Sequence, residues 1–157
     1  MDYKIRLKKL KSDNVPLFYR WWNLKKLREL TSGVYKKISK KEVDEKFIGI
    51  LKNKNRLDYI IFIEDDPVGH VLLQYKNKKW ELYIAIGEIK YWNKGIGTKA
   101  IKIVLKNFYK NHKKSEKVYL EVNPNNCRAI RCYEKCGFKK RRIKRYKNFP
   151  KLLQMVY

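Results

Sequence analysis

Tyr91-Trp92-Asn93-Lys94-Gly95-Ile96-Gly97-Thr98-Lys99-Ala100 is the stretch on which the reading of this chain turns. An alternating run, Trp80 to Ile86, leads into it, as a strand with one buried face would. Ile101, Val104, Leu105 and Phe108 follow at i, i+3, i+4, i+7 spacing, which predicts a helix to about Lys110. A glycine loop therefore joins a strand to the first turn of a helix. That turn leaves backbone N–H groups unpaired and carries a partial positive charge, so it suits a phosphate. Gly95 and Gly97 lack a Cβ, which lets a ligand approach closely, and Lys94 adds a cation.

Other glycine cradles fit less well. The P-loop pattern GxxxxGK[ST] is absent. The dinucleotide fingerprint is formally met by Gly95, Gly97 and Ala100, with Glu121 as a ribose carboxylate, but Lys90 to Lys94 separate the first glycine from the strand. YWNKGIGTKA resembles instead the acetyl-CoA loop [R/Q]xxGxG/A of the GCN5-related N-acetyltransferases (GNAT). A second block, NPNNCRAIRCYEKCGF (Asn123 to Phe138), is similar to that superfamily's other signature. The two blocks occur in the family's order. The similarity is greatest to the branch holding spermidine, ribosomal-protein N-terminal and aminoglycoside 6′ N-acetyltransferases.

The resemblance implies an α/β fold, mixed and mostly antiparallel, of about seven strands in one GNAT domain over residues 1–157. The order is β-α-α-β-β-β-α-β-α-β-β, with a splay between the fourth and fifth strands. Pantetheine would fill that splay, bonding backbone groups near Ile84, Ala85 and Ile86, while Lys94, Gly95, Ile96, Gly97 and Thr98 would hold the pyrophosphate, with Trp92 and Asn93 also in the cofactor site. In the pattern NxxAxxxY, met by Asn126, Ala129 and Tyr133, it assigns Asn126 to the pantetheine amides and Tyr133 to protonating the leaving thiolate. Two departures stand out. Trp92 replaces the usual Arg or Gln, with Lys94 and Lys99 near enough to compensate. Tyr83 stands where aminoglycoside-modifying relatives carry a catalytic Asp.

The residues themselves add candidates. Glu81, Tyr83 and Ala85 share one face of their strand, and Leu82, Ile84 and Ile86 the other. Glu81 is an acid inside an apolar strand: it is either a general base that engages the acceptor amine or a rim carboxylate paired with a lysine. Glu88 is the second candidate base. Trp22, Tyr35 and Tyr83 are expected to wall the acceptor.

Along the chain, Tyr3 to Leu10 reads as a strand, and Ser12 and Asp13 as an N-cap for one helix through Leu30. Ser39 and Glu42 form a capping box for the next helix. Strands are predicted at Leu57–Glu64, Val68–Tyr75 and Val118–Val122. A helix over Asn126–Cys136 is closed by Gly137, and a hairpin of Phe138–Ile143 and Leu152–Tyr157 ends the chain. Lys139 to Lys147 reads as a solvated edge strand. Cys127, Cys132 and Cys136 complete no metal set and read as reduced thiols, so no metal is expected.

Forty Lys and Arg against 15 Asp and Glu leave a net charge of +25. A polyanion such as RNA or the ribosome would answer that charge; the spread of lysines along the whole chain favours a compositional origin. No apolar run approaches a membrane span and the N-terminus is charged, so a cytoplasmic monomer or homodimer is expected. The function expected is direct acetyl transfer from acetyl-CoA to a primary amine, with a peptide or protein α-amine as first acceptor. A small polyamine or aminoglycoside is the second, and a non-catalytic coenzyme-A- or RNA-binding module the rival.

Overall fold

The computed structural model describes residues 3–31, 36–147 and 149–157. Strand β1 (Ile5–Lys9) leads to a 3-10 turn over Ser12–Asn14 and then helix α1 (Val15–Trp22). Ser12 and Asp13 thus lie inside a turn rather than capping the helix. The Lys11 N–H donates to Asn14 Oδ1 (2.9 Å), which closes the turn just ahead of α1.

The single helix expected through Leu30 is two: α1 ends at Trp22 and α2 runs Lys25–Thr31. Asn23 makes the break. Its side chain accepts from the Ile38 N–H (2.8 Å) and donates to the Ile38 carbonyl (3.0 Å). This bond pair pins the α1–α2 corner to the strand of chain that carries buried Ile38, which an uninterrupted helix would prevent. Helix α3 (Lys40–Lys52) starts on the predicted capping box. The Glu42 N–H donates to Ser39 Oγ (3.2 Å), and the Ser39 N–H to Glu42 Oε2 (2.8 Å).

Strands β2 (Arg56–Ile63), β3 (Asp66–Lys76) and β4 (Lys79–Ile86) follow, then α4 (Ile96–Phe108), β5 (Val118–Val122) and α5 (Cys127–Lys135). The chain ends with β6 (Lys139–Tyr146) and β7 (Phe149–Val156), a longer hairpin than expected. Helix α5 stops in a Schellman motif: the Gly137 N–H bonds the Glu134 carbonyl, the Phe138 N–H bonds the Tyr133 carbonyl, and Gly137 has φ +99°.

All seven strands form one sheet in the order β1-β2-β3-β4-β5-β7-β6. Every neighbouring pair is antiparallel except β4 and β5, and that parallel ladder is brief. It joins Trp80 to Val118 and Glu81 to Tyr119 and then stops. From Leu82 onward β4 is paired to β3 alone, and from Leu120 onward β5 is paired to β7 alone. The two strands therefore part in the middle of the sheet, as the family resemblance implied.

The sheet's two faces are covered unequally. On one, α4 and α5 pack Ile96, Ile101, Val104, Leu105, Phe108 and Ile130 onto alternate residues of every strand from β2 to β5 and of β7. On the other, α1, α2 and α3 pack Phe18, Trp21, Leu27, Val43 and Phe47 around Ile60 of β2 and Ala85 of β4. Strand β6 is the sheet edge opposite β1, and its basic side chains are exposed except Lys144, as read from the sequence. Among the described residues no helix is long and apolar enough to cross a membrane.

Candidate functional site

Two strand-to-helix junctions face the gap between β4 and β5. At the first, Asn93 and Gly95 both take left-handed backbone (φ 62° and 75°), and Gly95 is the N-cap of α4. The first intrahelical bond runs from the Lys99 N–H to the Gly95 carbonyl (3.1 Å), so the N–H groups of Ile96, Gly97 and Thr98 precede the ladder. A Cβ on Gly95 would meet nothing within 4 Å, so this glycine serves its φ. A Cβ on Gly97 would meet Cys132 Sγ at 3.3 Å; its bareness lets α5 pack close.

Lys94 is not a mobile cation beside these donors. Its ammonium sits over the rings of Tyr3 (5.8 Å) and Tyr91 (5.7 Å). Lys99 likewise turns away and donates to the Tyr3 carbonyl (3.0 Å). Neither compensates for Trp92 in the way expected. The Trp92 indole N–H donates to the Ile86 carbonyl (2.7 Å), and its ring joins the α1–α3 cluster. That bond also takes the Ile86 carbonyl, which had been expected to face pantetheine. Two cations reach the Trp92 ring: Arg128, from the first turn of α5, stacked 3.8 Å from its centroid, and Lys26 Nζ of α2 at 5.6 Å. Arg128 is the closer. Burial pulls its guanidinium below the ordinary value, with the Cys132 sulfur acting the other way. The sequence held one hint, a basic residue in the first turn of a helix, where the dipole opposes it.

At the second junction Asn126 caps α5. Its Oδ1 accepts from the Ala129 N–H (3.2 Å), and its Nδ2 donates to the Leu30 carbonyl of α2 (3.2 Å). The carboxamide thus holds α2 to α5 across the gap. Tyr133 lies on the same helix and is buried at 8% exposure, edge-on to Phe138. No group among the described residues hydrogen-bonds its hydroxyl. Burial pushes the phenol above its ordinary value, so it keeps its proton at neutral pH.

On the face away from α4, Glu81 is held between two groups. Its Oε1 pairs with Lys79 Nζ (2.9 Å) and its Oε2 accepts from the Tyr83 hydroxyl (2.7 Å). Burial raises the carboxyl, but the Tyr83 and Lys79 bonds outweigh it, and the net is below the ordinary glutamate value. Burial, then Glu81 and Glu121, push Tyr83 up, although its side chain is exposed. Glu121 repeats the arrangement on β5: Oε1 accepts from Lys144 Nζ (2.5 Å) and Oε2 from the Tyr146 hydroxyl (2.6 Å). Tyr83 feels Glu121 and Glu81 feels Lys144, so the two triads share one field. Glu121, Lys144 and Tyr146 meet only across β5, β7 and β6, a juxtaposition that no spacing along the chain shows.

Glu88 is elsewhere. Arg20 and the Trp21 indole (2.9 Å) both bond its Oε1, so it ties the loop after β4 to α1. Trp22 packs edge-on to Phe18 (5.3 Å) within the α1–α3 cluster. Tyr35 lies outside the described residues.

Known proteins share this fold. Residues 4–139 match the model of an acetyltransferase (GNAT) domain. The chain is 23% identical to an aminoglycoside N(6′)-acetyltransferase type 1 of Klebsiella pneumoniae over 159 residues, covering 87% of this chain and 74% of that protein. The aminoglycoside acetyltransferase AAC(6′)-Ib, solved with coenzyme A and kanamycin, superposes with a TM-score of 0.83 at 19% identity, covering 98% of this chain and 94% of that one. Spermidine N-acetyltransferase from Vibrio cholerae, solved with coenzyme A and spermine, gives 0.79 at 19% identity, with 98% and 94% covered.

Proposed function

The chain belongs to the acetyltransferase (GNAT) domain family and is an acetyl-CoA-dependent N-acetyltransferase, and from that premise we propose that it acetylates a small molecule carrying more than one amine. The observation that carries this reading is the pair of carboxylates, Glu81 and Glu121, each clamped between a lysine ammonium and a tyrosine hydroxyl beside the β4–β5 gap. A carboxylate that already accepts an ammonium and a phenol has the chemistry to hold a substrate ammonium in their place. Two of them in one field suit two charges on one acceptor. The reported relatives act on aminoglycosides and spermidine, both multivalent amines. They lend no support to a peptide α-amine, the acceptor first expected from the sequence.

The residues around the gap fit the donor. Gly95 in left-handed backbone and the leading N–H groups of Ile96, Gly97 and Thr98 suit the pyrophosphate. The edges of Leu82–Ala85 and Leu120–Val122 that face each other beyond the brief β4–β5 ladder suit a pantetheine arm. Acetyl-CoA supplies an activated thioester whose thiolate leaves.

The protein's own groups divide the remaining work. Glu81 sits below the ordinary range and is ionised at neutral pH, so it holds an ammonium better than it removes a proton. The acceptor amine therefore loses its proton to water at the exposed Tyr83 side of the gap. Tyr133, protonated and without a hydrogen-bond partner among the described residues, is the proton donor for the thiolate.

A panel of spermidine, kanamycin and short peptides, incubated with acetyl-CoA while free thiol is followed, tests the acceptor. Turnover with the multivalent amines and a roughly ten-fold higher KM in Glu121→Gln, on the scale of one charge-assisted hydrogen bond, are expected. Turnover confined to peptides would overturn the acceptor assignment and leave the reaction class standing.

A further inference from the structure

One aromatic stack joins the two sides of the β4–β5 gap. Trp92 belongs to the β4 side: it lies between β4 and α4, and its indole N–H is fixed on the carbonyl of Ile86, the last residue of β4. Arg128 belongs to the β5 side, in the first turn of α5. Its guanidinium carbon stands 3.8 Å from the centroid of the Trp92 ring, the separation of two groups in van der Waals contact.

The polar edge of Arg128 has no protein partner. The residue is half-buried, yet it makes no hydrogen bond or ion pair with any of the described residues. Stacking engages only the face of a guanidinium, so the N–H donors, which lie in its plane, stay available. The charge also sits in a helix's first turn, where the dipole opposes it and an anion would suit both. The lysines of the coenzyme turn are committed elsewhere, Lys94 to the Tyr3 and Tyr91 rings and Lys99 to the Tyr3 carbonyl.

We propose that Arg128 is the side chain that binds the coenzyme's pyrophosphate, and that Trp92 is the platform that positions it. Trp92 lies three residues ahead of Gly95, so a guanidinium on its ring stands beside the turn whose N–H groups suit the same anion. A planar fork held by one face offers two parallel N–H groups to two phosphate oxygens, which a lysine cannot do. Backbone donors of α4 and the fork from α5 then hold the anion from the two sides of the gap. The inference rests on coenzyme binding at α4, as proposed above, and adds the residue that meets it from the other side.

The test measures binding to the full chain, by calorimetry for coenzyme A and dephospho-coenzyme A and by NMR titration for pantetheine, with urea unfolding to check each variant's fold. Arg128→Ala is expected to weaken coenzyme A and dephospho-coenzyme A alike, by roughly thirty-fold, the scale of one charge-assisted fork. Pantetheine, which lacks the pyrophosphate, should bind this variant as it binds the wild type. Arg128→Lys keeps the charge without the fork and should fall between. Lys26→Ala removes the second cation near the ring and should change coenzyme A affinity by less than about two-fold. Trp92→Leu should weaken coenzyme A roughly five-fold in the wild type and no further once Arg128 is alanine. A tryptophan with a purely structural role would weaken both backgrounds equally.

If the wild type binds coenzyme A and Arg128→Ala binds it as well, or loses pantetheine to the same degree, the inference fails and the coenzyme site at α4 stands. An equal loss in Lys26→Ala would reduce the effect to general charge and overturn it too. A loss with coenzyme A but not with dephospho-coenzyme A would move Arg128 to the 3′-phosphate and overturn the pyrophosphate assignment. If the wild type does not bind coenzyme A, both readings fail.

Discussion

The two faces of the sheet solve different problems. The face under α4 and α5 is dry and continuous: Ile61, Val71, Leu73, Leu82, Val118, Leu120 and Met155 meet two helices across the strands on both sides of the β4–β5 gap. The face under α1, α2 and α3 is apolar only as far as β4. Beyond it come the Glu81 and Glu121 triads, and Gln154, which is buried at 2% exposure and accepts from Arg142 Nε (3.3 Å). Even inside the covered part of this face, Asp58 is held by Arg56 (2.8 and 2.9 Å) and by His70 (2.9 Å). One face holds the sheet together across its gap, while the other tolerates charge and is left open to a polar partner. Burial of apolar area costs nothing to specify beyond shape, whereas each buried ion needs its partner placed.

Mutations should separate the faces. On the dry face, Ile101→Ala removes a fully buried side chain between α4 and the sheet and is expected to destabilise by about 4 kcal/mol, read by urea unfolding. A loss under 1 kcal/mol would mean that this face is not the cooperative core.

On the charged face, Asp58→Ala leaves the Arg56 guanidinium buried without its carboxylate and should cost about 3 kcal/mol. Burial raises the Asp58 carboxyl, but the Arg56 and His70 bonds prevail and the net lies below its ordinary value of 3.8. A depressed folded value stabilises the protein above the unfolded value, and that stabilisation disappears as pH falls through the folded one. The wild type should therefore lose more stability than Asp58→Asn on acidification from about pH 4 downward. Parallel curves for the two proteins would show that the ion cluster contributes no linkage.

Tyr133 belongs to the dry face by packing, yet its hydroxyl is assigned to chemistry. Tyr133→Phe is expected to lower kcat by about 10²-fold, with thermal stability and coenzyme A affinity little changed. A near-normal kcat would return Tyr133 wholly to the core. Smallest of all, Ser39→Ala removes one half of the capping box that starts α3 and should cost about 1 kcal/mol in urea unfolding. No change would mean that packing of Val43 and Phe47 alone sets that helix.

Much of this was legible before the fold. The glycine turn, the α4 stripe, the Ser39–Glu42 box and the Gly137 stop were all read from residues within one or two turns of each other, and each recurs in the structure. The opposite orientations of Glu81 and Leu82 followed from the two-residue period of a strand. Signals of this kind depend on the local backbone, and local backbone is what a short stretch of sequence encodes.

The errors share another cause. A continuous α1–α2 helix was the better local reading until Asn23 found the Ile38 backbone fifteen residues away. Lys94 and Lys99 looked free until the start of the chain brought Tyr3 beneath α4. Arg128 reaches Trp92, and Lys144 and Tyr146 reach Glu121, only because strands and helices distant in sequence are packed side by side. By itself the sequence determined the elements from α3 onward and their order, the family and the turn that suits the pyrophosphate, since each rests on propensities and motifs read along the chain. The tertiary structure alone decided which cation meets which ring or carboxylate around the gap. A charged side chain's partner is set by the register between strands and the seating of helices, and no spacing along the chain carries that information.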